Sequence, residues 1–224
     1  FCSTLVVDQV YWQVAGAVSQ DWTPRLTGAW KESSPVGACR AVMQYTFDEM
    51  AQSKYGAPAI ANTTVSLGAG PDGNHDVDRQ QQQPHRLQID VQYHKRQTRM
   101  AESLWVSFAP RVPEPRGWRL DKLGQSIDPF DVAINGSRAM HAVWRGLQYY
   151  EPPLAPHAAP APSHFFGGDV ENLDTAPALE IVSLDAPVVA IDKPSPIVFL
   201  RDQQIEGKSW HFNLFNNAWN VNYP

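Results

Sequence analysis

Residues 179–200, LEIVSLDAPVVAIDKPSPIVFL, decide the fold class of this chain. The segment consists of short runs rich in Ile, Val and Leu that are separated by prolines. Such runs are typical of strands, because proline lacks the N–H group that the interior of a sheet requires. The stretch therefore predicts short antiparallel strands joined by rigid turns. The predicted strands and the prolines between them are 179–184, 188–191, 197–200, Pro187, Pro194 and Pro196.

Further strands are predicted upstream, where apolar and polar residues alternate with period two. They lie at 64–67, 86–92 and 104–108, and a turn-rich segment at 68–74 separates the first two. Residues 151–162 are rich in proline and alanine and predict a stiff surface connection.

The N-terminal part has a different pattern. Apolar residues recur at helical spacing over 4–18, and Ser34-Pro35 is a plausible cap for a second helix over 36–54. The sequence therefore predicts a mainly β fold, an antiparallel β-sandwich with a short helical N-terminal segment. Its predicted divisions are a helical segment at 1–60 and a β-sandwich domain at 61–224.

Composition and charge exclude several classes of protein. The 224 residues are 43% hydrophobic and 18% charged, which is ordinary for a globular chain. The net charge of -5 and the scattered basic residues argue against nucleic acid as a partner. No stretch approaches the roughly 18 apolar residues of a membrane span, so none is predicted. The chain starts at Phe1 without a signal segment, which indicates a processed or excised piece.

Three features favour a secreted, extracellular or vacuolar setting. Asn62-Thr63-Thr64 and Asn135-Gly136-Ser137 fit the N-glycosylation pattern, and Cys2 and Cys39 are the chain's two cysteines. An even pair of thiols beside two sequons is typical of an oxidising compartment, where a Cys2–Cys39 disulfide would be structural. The alternative is that the sequons arise by chance and that both thiols are reduced.

The usual catalytic motifs are missing from the sequence, including the nucleophile elbow, the zinc-protease motif and the phosphate-binding loops. Asn74-His75-Asp76-Val77-Asp78 could hold a divalent cation, but without the spacing of a calcium loop it is more typical of a solvated turn. No metal and no cofactor are predicted.

The densest polar and aromatic segment is 210–224, WHFNLFNNAWNVNYP. In a regular strand, His211, Asn213 and Phe215 would share one face. Amides bond to vicinal hydroxyls and aromatic rings stack on the apolar face of a sugar, so this segment predicts carbohydrate contact. The alternative is a terminal strand whose asparagines shape turns. The predicted ligand-binding residues are His211, Asn213, Asn216, Asn217, Trp219 and Asn222.

Several motifs, in order, resemble the C-terminal region of an uncharacterised fungal and bacterial family related to family-38 glycoside hydrolases, the α-mannosidase type. The resemblance covers roughly residues 93–224. Its motifs are KRQTRMAESLWVSF at 95–108, WRLDKLG at 118–124, IDPFDV at 127–132, Asn135-Gly136-Ser137 with His141, and the segment 211–224.

The resemblance implies an accessory β-sandwich that packs against an upstream α/β barrel. In such enzymes that barrel bears the catalytic carboxylates and, in the α-mannosidases, a zinc ion, and those residues are not in this chain. The similar family pattern ends in Asn-Asn-x-Trp-Gly-Thr-Asn-Phe-Pro. Here Asn220, Val221 and Tyr223 replace the Gly, Thr and Phe, which puts inherited activity in doubt.

Two functions remain open from the sequence. The first is the accessory portion of a secreted glycoside hydrolase-like protein that contributes carbohydrate contacts, with the barrel upstream or on a second chain. The alternative is a free-standing, lectin-like carbohydrate-binding protein, and a purely structural domain is a third reading. Catalytic residues are not identified. Four carboxylates are candidates for a catalytic acid and base pair: Glu102, Asp121, Asp128 and Asp131. Of these, Asp128 before Pro129 is more typical of a turn.

Overall fold

A computed structural model describes residues 2–7, 20–33, 39–67, 86–98, 102–132, 138–151, 177–194 and 204–217. Within these residues lie fourteen strands and one α-helix. The elements in chain order are β1 Cys2–Val7, β2 Gln20–Trp22, β3 Arg25–Ser33, β4 Cys39–Thr46, α1 Glu49–Tyr55, β5 Ala61–Leu67, β6 Leu87–Tyr93, β7 Glu102–Phe108, β8 Trp118–Lys122, β9 Gln125–Ile127, β10 Met140–Ala142, β11 Gly146–Tyr149, β12 Leu179–Val182, β13 Val188–Ile191 and β14 Trp210–Asn216.

The described strands form three sheets. The first sheet has the order β10-β13-β14-β7-β1-β2, the second β12-β11-β8-β9 and the third β3-β4-β5-β6. The strand pairs whose register is known are antiparallel. The predicted mainly β, antiparallel fold is confirmed, including the strands at 64–67, 86–92, 104–108 and 188–191. The strand predicted at 179–184 is present and ends at residue 182. The predicted strand at 197–200 lies outside the described residues.

The chain divides into two compact units. One contains Phe1–Asp21 and Arg99–Pro224, and the other contains Trp22–Thr98. The first and second sheets belong essentially to the first unit, whereas the third sheet and α1 form the second unit. Residue 60, where the sequence placed a division, lies inside the second unit.

Both predicted helices need correction. The described start of the first, residues 4–7, belongs to strand β1, which pairs along its length with β7; residues 8–19 lie outside the described part. Within the second, residues 39–46 form strand β4, because hydrogen bonding to β3 on one side and β5 on the other overrides the helical spacing of its apolar residues. The end of the second prediction, residues 49–54, is helical and belongs to α1, which has seven residues.

Capping residues at both ends and one aromatic contact stabilise the short helix α1. The Asp48 side chain accepts a hydrogen bond from the Met50 N–H at 2.8 Å, as an N-cap does. Gly56 ends the helix with a positive φ of 64°. The Tyr55 ring packs against Trp22 with ring centroids 4.8 Å apart. These contacts tie the helix to the buried side of the second unit.

Tryptophans join the two sheets of the first unit. Trp118 on β8 and Trp210 on β14 are fully buried, and their ring centroids lie 5.1 Å apart. Trp118 also contacts Tyr149 of β11 at 5.2 Å. The first and second sheets therefore pack face to face around aromatic rings, as in a β-sandwich.

The turn before β14 is organised by one carboxylate. Asp192 follows β13 with a positive φ of 60°, and its side chain accepts four backbone N–H groups of the consecutive residues 206–209 at 2.5–3.3 Å. A carboxylate that satisfies several backbone donors fixes a turn in one conformation. It thereby sets where β14 begins.

In the part of the chain that the structure describes, no helix has the length and apolar character needed to cross a bilayer.

Candidate functional site

The C-terminal strand carries part of the predicted carbohydrate site, but a β-bulge changes which residues share a face. Asn213 pairs with Trp105 and Phe215 pairs with Leu104, so Leu214 is an extra residue. After the bulge Asn216, paired with Ser103, joins the face of His211 and Asn213. The prediction that Phe215 shares that face is wrong, because strand alternation restarts at the bulge.

His211 is held as a buried structural residue. Its Nδ1 lies 2.7 Å from Ser107 Oγ and its Nε2 lies 3.0 Å from Ser209 Oγ. Ser209 Oγ donates to the Asp192 carbonyl at 3.3 Å, so it accepts from Nε2, and Nδ1 accepts from Ser107. Burial lowers the pKa of His211, and the nearby Asp192 opposes that change. Both ring nitrogens are thus engaged within the sheet.

The neighbouring Asn213, Asn216 and Asn217 are half-buried rather than exposed. Asn213 Nδ2 donates to the Phe215 carbonyl at 3.2 Å, across the bulge in its own strand. The Asn217 backbone N–H donates to the Glu102 carbonyl at 2.8 Å and so continues the pairing with β7. Trp219 and Asn222 lie outside the described residues. The described part of this segment is therefore built mainly as sheet.

The four candidate catalytic carboxylates lie in different environments. Glu102 on β7 is fully buried. Asp121 accepts from the Gly124 N–H at 3.1 Å in the β8–β9 turn. Asp128 accepts from the Phe130 N–H at 2.9 Å and pairs with Arg119 at 3.3 Å, which confirms its role in a turn. Asp131 is exposed at the end of that turn.

The modification and disulfide predictions stay predictions. Asn62 lies half-buried on β5, and Asn135 lies outside the described residues. Cys2 begins β1 in the first unit and Cys39 begins β4 in the second, and nothing is described of their side chains.

The third sheet presents a polar face that the sequence analysis did not identify, which we call the amide face. Paired residues in antiparallel strands project to the same side, and residues two apart in a strand share that side. The register of β3, β4, β5 and β6 therefore defines one continuous set of side chains. The amide face consists of Gly28, Trp30, Glu32, Arg40, Val42, Gln44, Asn62, Thr64, Ser66, Gln88, Asp90 and Gln92.

The opposite side of the third sheet is the core side of its unit. Tyr45, Ala61 and Thr63 project there and are buried. On the amide face, by contrast, Asp90 and Gln92 are exposed and Trp30 retains 43% of its surface. The amide side chains of this sheet therefore lie together on one side, which is partly exposed and on which Val42 is buried.

Trp30 is the aromatic group of the amide face, and both edges of its indole are held. The benzo edge lies beside Gly28, where a Cβ would meet Trp30 Cζ3 at 3.4 Å. At the other edge, Nε1 donates to Glu32 Oε1 at 3.0 Å. The ring thus has a fixed orientation along β3 while much of it remains exposed. An exposed ring held in one orientation loses little entropy when a ligand stacks on it.

The polar side chains of the amide face are partly ordered by one another. Gln44 Nε2 donates to Asn62 Oδ1 at 3.4 Å, and Gln88 Nε2 donates to Asp90 Oδ2 at 3.2 Å. A primary amide carries two N–H donors and two acceptor lone pairs, so one such bond leaves capacity for a ligand. The amide face can therefore offer both donors and acceptors in fixed positions.

The amide face could have been found from one signal in the sequence. Residues 88–92, QIDVQ, alternate polar and apolar, which places Gln88, Asp90 and Gln92 on one side of a strand. Strand β4 was predicted as a helix and β3 was not predicted, so Gln44 and Trp30 could not be placed in the same sheet.

Comparisons of the chain with protein-family models, with curated proteins and with solved structures found no match. The resemblance to family-38 glycoside hydrolases therefore stays a prediction from the sequence. Among the described residues, no group of three or more His, Cys, Asp or Glu side chains is arranged to hold a metal ion. The Asn74–Asp78 cluster, the candidate cation site, lies outside those residues.

Proposed function

We propose that this protein binds carbohydrate, and that the amide face of the third sheet is the surface that does so. The observation that supports the proposal is the combination of an exposed, oriented indole with amide side chains in adjacent strands. Amides donate to and accept from vicinal hydroxyls, while an indole face packs on the apolar C–H groups of a sugar ring. Both kinds of contact are available within one flat surface.

The C-terminal segment is less suited to this role. His211 is buried with both ring nitrogens bonded inside the sheet, and Asn213 bonds its own strand. A ligand would have to displace these internal hydrogen bonds, which costs the free energy of each bond broken. The proposal therefore moves the main sugar contacts from the C-terminal strand to the amide face.

Substitution of Trp30 tests the proposal. We expect wild-type protein to bind a subset of neutral glycans on an array, and Trp30→Ala to weaken that binding about thirtyfold, the loss typical of an aromatic hot spot. Trp144→Ala is the matched control, because Trp144 is 62% exposed but belongs to the other unit. Equal binding by wild type and Trp30→Ala, or no binding to any glycan, would contradict the proposal.

The accessory setting implied by the glycoside hydrolase resemblance is supported by a separate observation. Leu123, Trp144 and Leu184 are 79%, 62% and 86% exposed. The three residues lie in segments at one end of the second sheet. There the Trp144 N–H donates to the Asp121 carbonyl and the Ser183 N–H donates to the Arg145 carbonyl, both at 2.8 Å. Grouped exposed apolar side chains are typical of surfaces that dock on another protein.

The mass and chain composition of native material distinguish the accessory protein from a free-standing lectin. A longer chain, or a co-purifying chain that contains a catalytic barrel, would support the accessory setting. A single glycan-binding species near 25.0 kDa without hydrolase activity would support the lectin-like alternative.

A further inference from the structure

The side chains of the amide face form rows that run across the strands. One row is Gly28, Gln44, Asn62 and Gln92, and the adjacent row is Trp30, Val42, Thr64 and Asp90. Each row crosses three interstrand gaps, which at about 4.8 Å per gap gives a length of about 14 Å. A surface of this length exceeds a single sugar ring.

The two ends of these rows offer different contacts. At the β3 end the Trp30 indole provides an apolar stacking surface. At the β6 end, Gln92 and Asp90 are exposed polar groups. Between them Val42 is buried, and the half-buried Gln44, Asn62 and Thr64 side chains supply amide and hydroxyl groups when Asn62 carries no glycan. A ligand that uses both ends must extend across β4 and β5.

The charge of the amide face selects against anionic ligands. Its charged residues are Glu32, Arg40 and Asp90, and Arg40 is the register partner of Glu32. The remaining charge on the row beside the indole is the carboxylate of Asp90. Sulfate or uronate groups would lie near this like charge, whereas neutral hydroxyls can donate to it.

From this geometry we infer that the ligand of the amide face is a neutral oligosaccharide lying across the four strands, with one sugar on Trp30 and another at Gln92. The inference rests on the proposed function and adds the class, length and direction of the glycan. Its sugar units occupy consecutive positions along the rows. Each added unit gains contacts until the β6 edge is reached.

Calorimetric titration with defined oligosaccharides tests this inference. The probes are α-linked manno-oligosaccharides and β-linked gluco-oligosaccharides from the monosaccharide to the hexasaccharide. For the series that binds, we expect the affinity to rise at least about tenfold from monosaccharide to tetrasaccharide and then to level off. A sulfated tetrasaccharide with the same backbone is expected to bind more weakly.

Gln92→Ala shows whether the far end of the row is used. We expect it to weaken tetrasaccharide binding about fivefold and to leave monosaccharide binding unchanged, because the monosaccharide occupies the Trp30 end. Gln125→Ala is the matched control, since Gln125 is also exposed but lies on β9 in the other unit. Thermal unfolding of both variants checks that they fold.

The outcomes separate this inference from the proposed function. Three results would overturn the extended neutral ligand: equal affinity for monosaccharide and tetrasaccharide, equal loss of both on Gln92→Ala, or a preference for the sulfated glycan. In each of these cases, loss of binding on Trp30→Ala would still support the proposed site. Absence of binding to every probe and to the glycan array would overturn both.

Discussion

Trp118→Ala is expected to lower the free energy of unfolding by about 4 kcal/mol, the usual range for removing a large buried aromatic side chain. Trp118 is fully buried between the two sheets of the first unit and contacts both Trp210 and Tyr149. Truncation would leave a cavity at the point where these sheets meet. Urea titration followed by far-ultraviolet circular dichroism measures the change.

Trp30→Ala is the control for that experiment, because it removes the same side chain from an exposed position. We expect its loss of unfolding free energy to be about 1 kcal/mol, clearly smaller than that of Trp118→Ala, because 43% of the Trp30 surface is already exposed. Equal losses in the two variants would mean that the Trp118 contacts do not hold the sheets together. The same measurement checks that Trp30→Ala folds, so that a loss of glycan binding can be assigned to the missing indole.

Stability is expected to fall as the pH is lowered from about 6.5 to about 4, and His141 contributes to this loss. His141 is buried on β10; its Nε2 donates to the Arg138 carbonyl at 2.7 Å, and its Nδ1 lies 3.4 Å from Lys122 Nζ. Burial lowers the pKa of His141 from 6.5 to about 4. The hydrogen bond to Arg138 opposes this change, and the charge of Lys122 adds to it.

The sign follows from proton binding. Between pH 4 and 6.5 the unfolded chain binds a proton at His141 that the folded chain excludes, so the stabilisation present above pH 6.5 is lost as the pH falls. The difference corresponds to about 3 kcal/mol. Burial also lowers the pKa of His211, which adds a loss of the same sign.

His141→Gln isolates this contribution. We expect its free energy of unfolding to depend less on pH than that of the wild type between pH 6.5 and 4, because the proton-binding group is gone. His94→Gln is the matched control, since His94 is exposed in the second unit. Parallel curves for wild type and His141→Gln would refute the assignment.

Sequence pattern predicted the strands well where local alternation and turn residues agree. The run at 188–191 lies between two prolines and became β13, and QIDVQ became part of β6. It failed at 39–46, where Val42, Met43 and other apolar residues recur at helical spacing. There the strand is set by pairing with β3 and β5, which are non-local contacts that spacing alone cannot reveal.

The candidate site was harder to predict than the fold for a related reason. The composition of 210–224 indicated sugar contact, but burial of His211 and the bulge at Leu214 depend on β7 and β13. The amide face depends on the register of four strands, one of which was predicted as helix. Amide-rich segments therefore indicated a chemistry, whereas the sheet register determines which amides lie together beside an exposed ring.

The most direct test of the central claim is to map a bound glycan by nuclear magnetic resonance, following the indole N–H of Trp30 and the side-chain amides of Gln44, Asn62 and Gln92. Titration with a glycan that binds on the array is expected to shift these signals and to leave those of Asn213 and Asn216 unchanged. Shifts confined to Asn213 and Asn216, with the Trp30 and Gln92 signals unmoved, would contradict it.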